Sequence, residues 1–204
     1  MSTLSKEIIE KLYYREGLST IKVAQKLNVT PWVVLSFMRS NKMVRRTFKE
    51  ANALDFNKKP FTFLLKEILT LQEEKLKMAG VVLYWGEGAK LRGKNSGVDF
   101  ANSNSEMIKV FLKFLREICR VDEKKLRVYL YCYSNQNIES LLDYWYKITS
   151  IPLNQFTKPY VRKDFLPEKI GKMEYGMIHI RYADKKLLIQ IDSWINEYSK
   201  LFGN

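Results

Sequence analysis

The chain has 204 residues, 46% of them hydrophobic, which is enough for one sizeable core or for a core plus a small satellite domain. Its 35 Lys and Arg against 22 Asp and Glu give a formal net charge of +13, a surplus that points to a polyanionic partner, nucleic acid being the commonest. No apolar run approaches the roughly 18 residues needed to span a bilayer, and a single histidine, His179, leaves almost no material for a histidine-based zinc site or a Ser-His-Asp triad.

The N-terminal stretch MSTLSKEIIEKLYYREG carries acids and has no apolar h-region, so it does not read as a signal peptide. Cys119 and Cys132 lack CxxC spacing and read as buried, reduced thiols, which implies cytoplasmic residence. Residues 5–15 place Ile8, Ile9, Leu12 and Tyr13 on one helical face before Gly17 breaks the pattern. Ser19 caps a second expected helix with Ile21, Val23, Ala24 and Leu27 inward. Asn28 suits a left-handed turn position, and Thr30 with Pro31 opens a third helix that buries Val33, Val34 and Phe37 or Met38. Small Ala24 sits where the last two helices must cross closely.

Residues 1–50 thus resemble a three-helix helix-turn-helix DNA-binding domain. The resemblance implies that the third helix enters the major groove with Thr30, Trp32, Ser36, Arg39 and Ser40, while Arg45 and Arg46 grip backbone phosphates. Ten Lys/Arg against four Asp/Glu in this segment give it +6. Trp32 is ambiguous, because it could equally pack on the domain's own core.

Residues 51–62 mix Asn, Lys and Pro60 and read as a boundary, with a helix expected over Phe63–Leu71; residues 51–71 therefore form a linker and a helix. Another helix starts near Gln72 and runs through EEKLKMAGVVLYW, its apolar run ending abruptly in Gly-Glu-Gly within residues 78–90. Ala79 and Gly80 let another backbone approach closely, and Leu83 and Gly86 continue roughly that face. Further on, Lys90, Arg92 and Lys94 with the Asn-Ser-Gly turn suggest a hairpin whose second strand points Val98 and Phe100 inward. Residues 105–119 form an amphipathic helix, capped by Ser103 or Ser105. In the strand 126–133, Leu126, Val128, Leu130 and Cys132 face one side, and Arg127, Tyr129, Tyr131 and Tyr133 the other. A helix at 138–149, a loop or irregular strand at 151–165 with Lys158, Arg162 and Lys163, a strand at 175–183 and a final helix complete the chain. In that last strand Ile178 and Ile180 point inward and His179 and Arg181 outward.

The segment VVLYWGEG resembles the LAGLIDADG motif of homing endonucleases, closest to the form found in intein-borne members. The likeness covers about residues 72–200, in a domain spanning 72–204. It implies an α+β fold of αββαββα order with an antiparallel sheet, here with an extra helix between the third and fourth strands. It also implies a close helix–helix contact through Ala79, Gly80, Leu83 and Gly86. The motif's acid is Glu87, flanked by Gly86 and Gly88. In the family this acid binds a divalent metal over the DNA cleft, so Glu87 would be both a catalytic residue and a Mg²⁺ ligand. One motif per chain implies a homodimer that supplies the second acid. Val82 departs from the small residue usual there, and Glu replaces the commoner Asp. The sheet's outer side chains, Arg127, Tyr129, Tyr131 and Arg181, together with Lys90, Arg92 and Lys94, would contact DNA. Lys90, Arg127, His179 and Arg181 are candidates for assisting catalysis. The expected function is site-specific double-stranded DNA binding with Mg²⁺-dependent cleavage. The alternative is a non-cleaving DNA-binding transcriptional regulator on the same fold. Neither implies a membrane.

Overall fold

The computed structural model describes residues 4–91, 95–162 and 173–203. The chain divides into two compact units, Met1–Pro60 and Phe61–Asn204. No helix among the described residues is long and apolar enough to cross a membrane.

In the first unit, α1 (Lys6–Ile9) begins where the Ser5 hydroxyl accepts from the Ile8 N–H, and it continues as a π-helical stretch over Glu10–Arg15. Helix α2 (Thr20–Leu27) is capped by Ser19, whose side chain accepts from the Lys22 N–H. Asn28 then takes the left-handed conformation, with φ 52°, and closes the turn into α3 (Pro31–Ser40). Thr30 is the N-cap of α3 by backbone position, but its side chain makes no capping bond. The core comprises Ile9, Leu12, Tyr13, Val23, Ala24, Val34 and Met38, with Phe37 packed against its edge. Ala24 is buried where α2 and α3 pack. Ile21, expected inside, is exposed: the unit's core takes its neighbours Val23 and Ala24 instead.

A fourth helix, α4 (Phe48–Lys58), occupies most of the stretch that composition marks as a boundary. A capping box explains it: Thr47 accepts from the Glu50 N–H, and the Glu50 carboxylate accepts from the Thr47 N–H at 2.7 Å. No α4 residue is fully buried. Lys58 ties its end back to the Gly17 carbonyl at 2.9 Å.

The second unit opens without the helix expected over Phe63–Leu71. Phe63 and Leu65 pack on the core while Leu64 is exposed, a period of two and not 3.6. The Leu64 and Lys66 N–H groups donate to the carbonyls of Cys119 and Ile118, at 3.2 and 3.0 Å. Helix α5 (Leu71–Glu87) then starts at a second capping box, Thr70 with Glu73. A hydrogen bond from Lys66, joined by the Thr70 N–H, holds the Glu73 carboxyl down to about 2.

The remaining order is β1 (Val98–Asn102), α6 (Ser105–Lys113, continued as a π-helical stretch Phe114–Ile118), β2 (Leu126–Tyr133), α7 (Ile138–Thr149), β3 (Tyr160–Arg162), β4 (Met177–Tyr182) and α8 (Lys185–Phe202). The α6 cap is Asn104, and neither serine expected there serves: its carboxamide oxygen accepts from both the Glu106 and Met107 N–H groups. The fold class is α+β, but the sheet is mixed and not wholly antiparallel. Its strand order is β1-β4-β2-β3, with β1–β4 and β4–β2 antiparallel and β3 parallel to β2. The reason is α7, the extra helix, which returns the chain to the same end before β3 begins. The expected hairpin into β1 is described only at its base, where Gly88 pairs with Phe100 and the Ala89 N–H donates to the Asp99 carbonyl at 2.9 Å.

Val98, Phe100, Leu126, Val128, Leu130, Ile178 and Ile180 share one core with side chains of α5, α6, α7 and α8. Helices therefore cover one face of the sheet. Cys119 and Cys132 are buried and unpaired, and burial pushes both thiols up.

Candidate functional site

Alternation along the strands sets the outer face of the sheet. Because Val98, Phe100, Val128, Leu130, Ile178 and Ile180 point into the core, their neighbours Asp99, Ala101, Arg127, Tyr129, Tyr131, His179 and Arg181 must point away from it. Register then assembles rows. Asp99, Arg181 and Arg127 stand side by side, as do Ala101, His179 and Tyr129. Beyond them Tyr131 pairs with Tyr160, and Tyr133 with Arg162.

These side chains hold one another. Arg181 Nε donates to Asp99 Oδ2 at 2.8 Å, and His179 Nδ1 lies 2.8 Å from Asp99 Oδ1. The Arg181 guanidinium sits 4.9 Å from the Tyr129 ring centroid, close enough for a cation–π contact. Tyr129 meets the His179 ring edge-on, with centroids 5.7 Å apart, and Tyr131 stacks on Tyr160 at 5.1 Å. Burial alone would raise the Asp99 carboxyl, but the His179 hydrogen bond and the charges of His179 and Arg181 outweigh it and leave the group below its ordinary value. Arg127 Nη1 donates to the Lys124 and Leu126 carbonyls, both at 2.7 Å, so the start of β2 fixes it.

Glu87 ends α5, exposed to solvent, where the chain turns into its pairing with β1. Lys90 closes that helix end by donating to the Tyr84 carbonyl at 3.2 Å and to the Trp85 carbonyl. Tyr84 is buried beneath, its hydroxyl donating to the Ala89 carbonyl at 2.7 Å; burial pushes its phenol up to about 12. The Glu87 carboxylate is exposed and has no partner among the described residues. No group of three or more His, Cys, Asp or Glu that could hold a metal occurs among the described residues.

The four residues expected at a helix–helix contact divide. Ala79 and Gly86 lie on the exposed side of α5, and a Cβ at Gly86 would meet nothing within 4 Å. Gly80 does not: it is buried beneath Phe114 of the same chain, and a Cβ there would lie 2.2 Å from that ring. Leu83 packs against the chain's own core. The exposed side of α5 instead carries Met78, Val82 and Trp85, at 43%, 51% and 41% exposure.

In the first unit, Thr30, Trp32, Arg39, Ser40 and Arg45 are exposed and Ser36 is half-buried. Trp32, at 73% exposure, does not serve the core. Arg46 is committed to its own unit, with its guanidinium 4.0 Å over the Tyr13 ring and bonded to the Leu18 carbonyl. Arg92, Lys94 and Lys163 lie outside the described residues.

Sequence reading passed over Asp99 and Tyr160, and named Arg162 only as a loop cation. Asp99 lies between the inward Val98 and Phe100, so alternation alone places it on the outer face. Its partners follow only from the pairing of β1 with β4. No family model matches the chain, and no curated protein or solved structure does.

Proposed function

We propose that the chain binds double-stranded DNA as a homodimer and is a LAGLIDADG-type endonuclease, cleaving with the paired Glu87 carboxylates of two copies and Mg²⁺. The observation that carries this reading is the outer face of the sheet. Arg127, Tyr129, Tyr131, His179 and Arg181 form a fixed cationic and aromatic surface opposite the face that packs on the core. Such side chains offer donors to phosphates and base edges and flat faces to sugars. The first unit adds a second reader: on α3, Thr30, Trp32, Ser36, Arg39 and Ser40 take the groove, and Arg45 takes a phosphate.

Pairing of two copies along the exposed side of α5 would cover Met78, Ala79, Val82 and Gly86 and bring the two Glu87 helix ends together. Lys90 orders that end by satisfying its carbonyls. Mg²⁺ held between the two carboxylates would polarise the scissile phosphate and activate water.

A second reading, a DNA-binding regulator that does not cut, is favoured by one observation: among the described residues, no group of three or more His, Cys, Asp or Glu that could hold a metal surrounds the exposed Glu87. Cleavage separates the two. DNA selected by binding to the protein is incubated with it and Mg²⁺. Nicking or cutting is expected, and Glu87→Gln should abolish it while leaving binding unchanged. Equal cutting by the Gln variant removes Glu87 from the mechanism. Tight binding with no cutting by the wild type establishes the regulator.

A further inference from the structure

Asp99 is out of place on a surface meant for a polyanion. A bare carboxylate there would repel phosphate at close range. Its two oxygens, however, are each spent on a cationic or potentially cationic partner, Oδ1 on His179 and Oδ2 on Arg181, both at 2.8 Å. Held below its ordinary value, Asp99 is ionised at neutral pH and can only accept hydrogen bonds. The proton between Asp99 and His179 therefore sits on Nδ1. The neutral ring carries its lone pair on Nε2, and the protonated ring carries a donor there.

Arg181 is fixed in the same way. Its Nε is spent on Asp99, one side faces the Tyr129 ring, and its terminal nitrogens have no partner among the described residues. Asp99 and Arg181 also line a shallow cleft with Asn95, Ser96 and Gly97. The charged and titratable groups around His179 are Asp99 from β1, Arg127 and Tyr129 from β2, and Arg181 from its own strand.

We propose that Asp99 is a positioning residue that joins His179 and Arg181 into one phosphate-binding unit, so that a carboxylate strengthens DNA binding by this face. The inference rests on the DNA-binding reading above and is independent of cleavage. It gains from Asp99 what bulk charge would forbid: the Arg181 terminal nitrogens, and Nε2 of the protonated His179 ring, are pre-set in orientation, each losing less freedom when phosphate arrives.

The sign of one substitution decides it. Asp99→Asn raises the formal net charge from +13 by one, so charge alone would tighten binding to any duplex. The proposal expects the opposite, a weakening of about tenfold, because the carboxamide keeps one acceptor oxygen and turns an NH2 donor toward the other partner, so His179 and Arg181 can no longer both be held. Binding of a labelled duplex of arbitrary sequence is measured at low salt for wild type and variant. Equal or tighter binding by the variant overturns the proposal and leaves the DNA-binding reading intact. No binding by the wild type overturns both. His179 is the only histidine, so ¹⁵N-histidine labelling reports its tautomer without assignment. The Nδ1–H form is expected in the wild type and a smaller share of it in Asp99→Asn, read on protein whose helical circular dichroism is unchanged, because unfolding alone would also reduce it. Should the variant fail to fold, the wild-type spectrum decides, and a predominant Nε2–H form overturns the proposal.

Discussion

Gly80 explains how α5 can lie so close to its own core. Its missing side chain admits the Phe114 ring, and a Cβ would fall 2.2 Å from one ring atom and 2.5 Å from the Phe114 Cβ. Gly80→Ala therefore overpacks this contact, at a cost of about 1–3 kcal/mol. Denaturant unfolding should show a lower midpoint with an unchanged slope, and an unshifted midpoint would contradict the packing. The same residue shows where sequence reading reaches its limit. A small side chain beside an apolar run signals close approach, but not whether the approaching group belongs to the same chain. Asp99 is the complementary case. Its outward direction was legible from Val98 and Phe100, whereas its two partners lie in a strand far along the chain. Some caps needed no such distant knowledge: Ser19, Asn28 and Pro31 act as local chemistry dictates, whereas Thr30 makes no side-chain cap and Asn104, in place of Ser103 or Ser105, caps α6.

At the scale of elements, amphipathic segments with a period of 3.6 stood out, and α7 and α8 follow them closely. Strands β2 and β4 were equally plain, because alternation runs along β4 and along β2 as far as Cys132; only Tyr133, expected on the outer face, is buried instead. Two of the failures share a cause. Residues 63–66 are extended because the carbonyls of 118–120 receive their N–H groups, and β3 runs parallel because α7 intervenes. Both outcomes depend on partners that no local window contains. Helix α5 carries the element-scale prediction. Its exposed Met78, Val82 and Trp85 are the apolar side chains that pairing of two copies would cover. Val82→Glu would place a charge in that contact, where it has no partner. Light scattering should report a dimer for the wild type and a monomer for the variant, with the helical circular dichroism unchanged. A variant that remains dimeric would move the interface elsewhere.

For the whole molecule, charge and topology point the same way. The excess of +13 is spread over both units, with +6 in the first fifty residues, where Lys and Arg outnumber Asp and Glu by ten to four. In the second unit the helices take the apolar face of the sheet and leave Arg127, His179 and Arg181 on the other, amid tyrosines. Net charge was readable at once, but which face of which element carries it required the pairing of β4 between β1 and β2. The most direct measurement is duplex affinity as a function of salt. If cations on this surface neutralise four or more phosphates, log K should fall linearly with log salt, with a slope of about −4 or steeper. A flat dependence, or no binding at low salt, would contradict DNA as the partner.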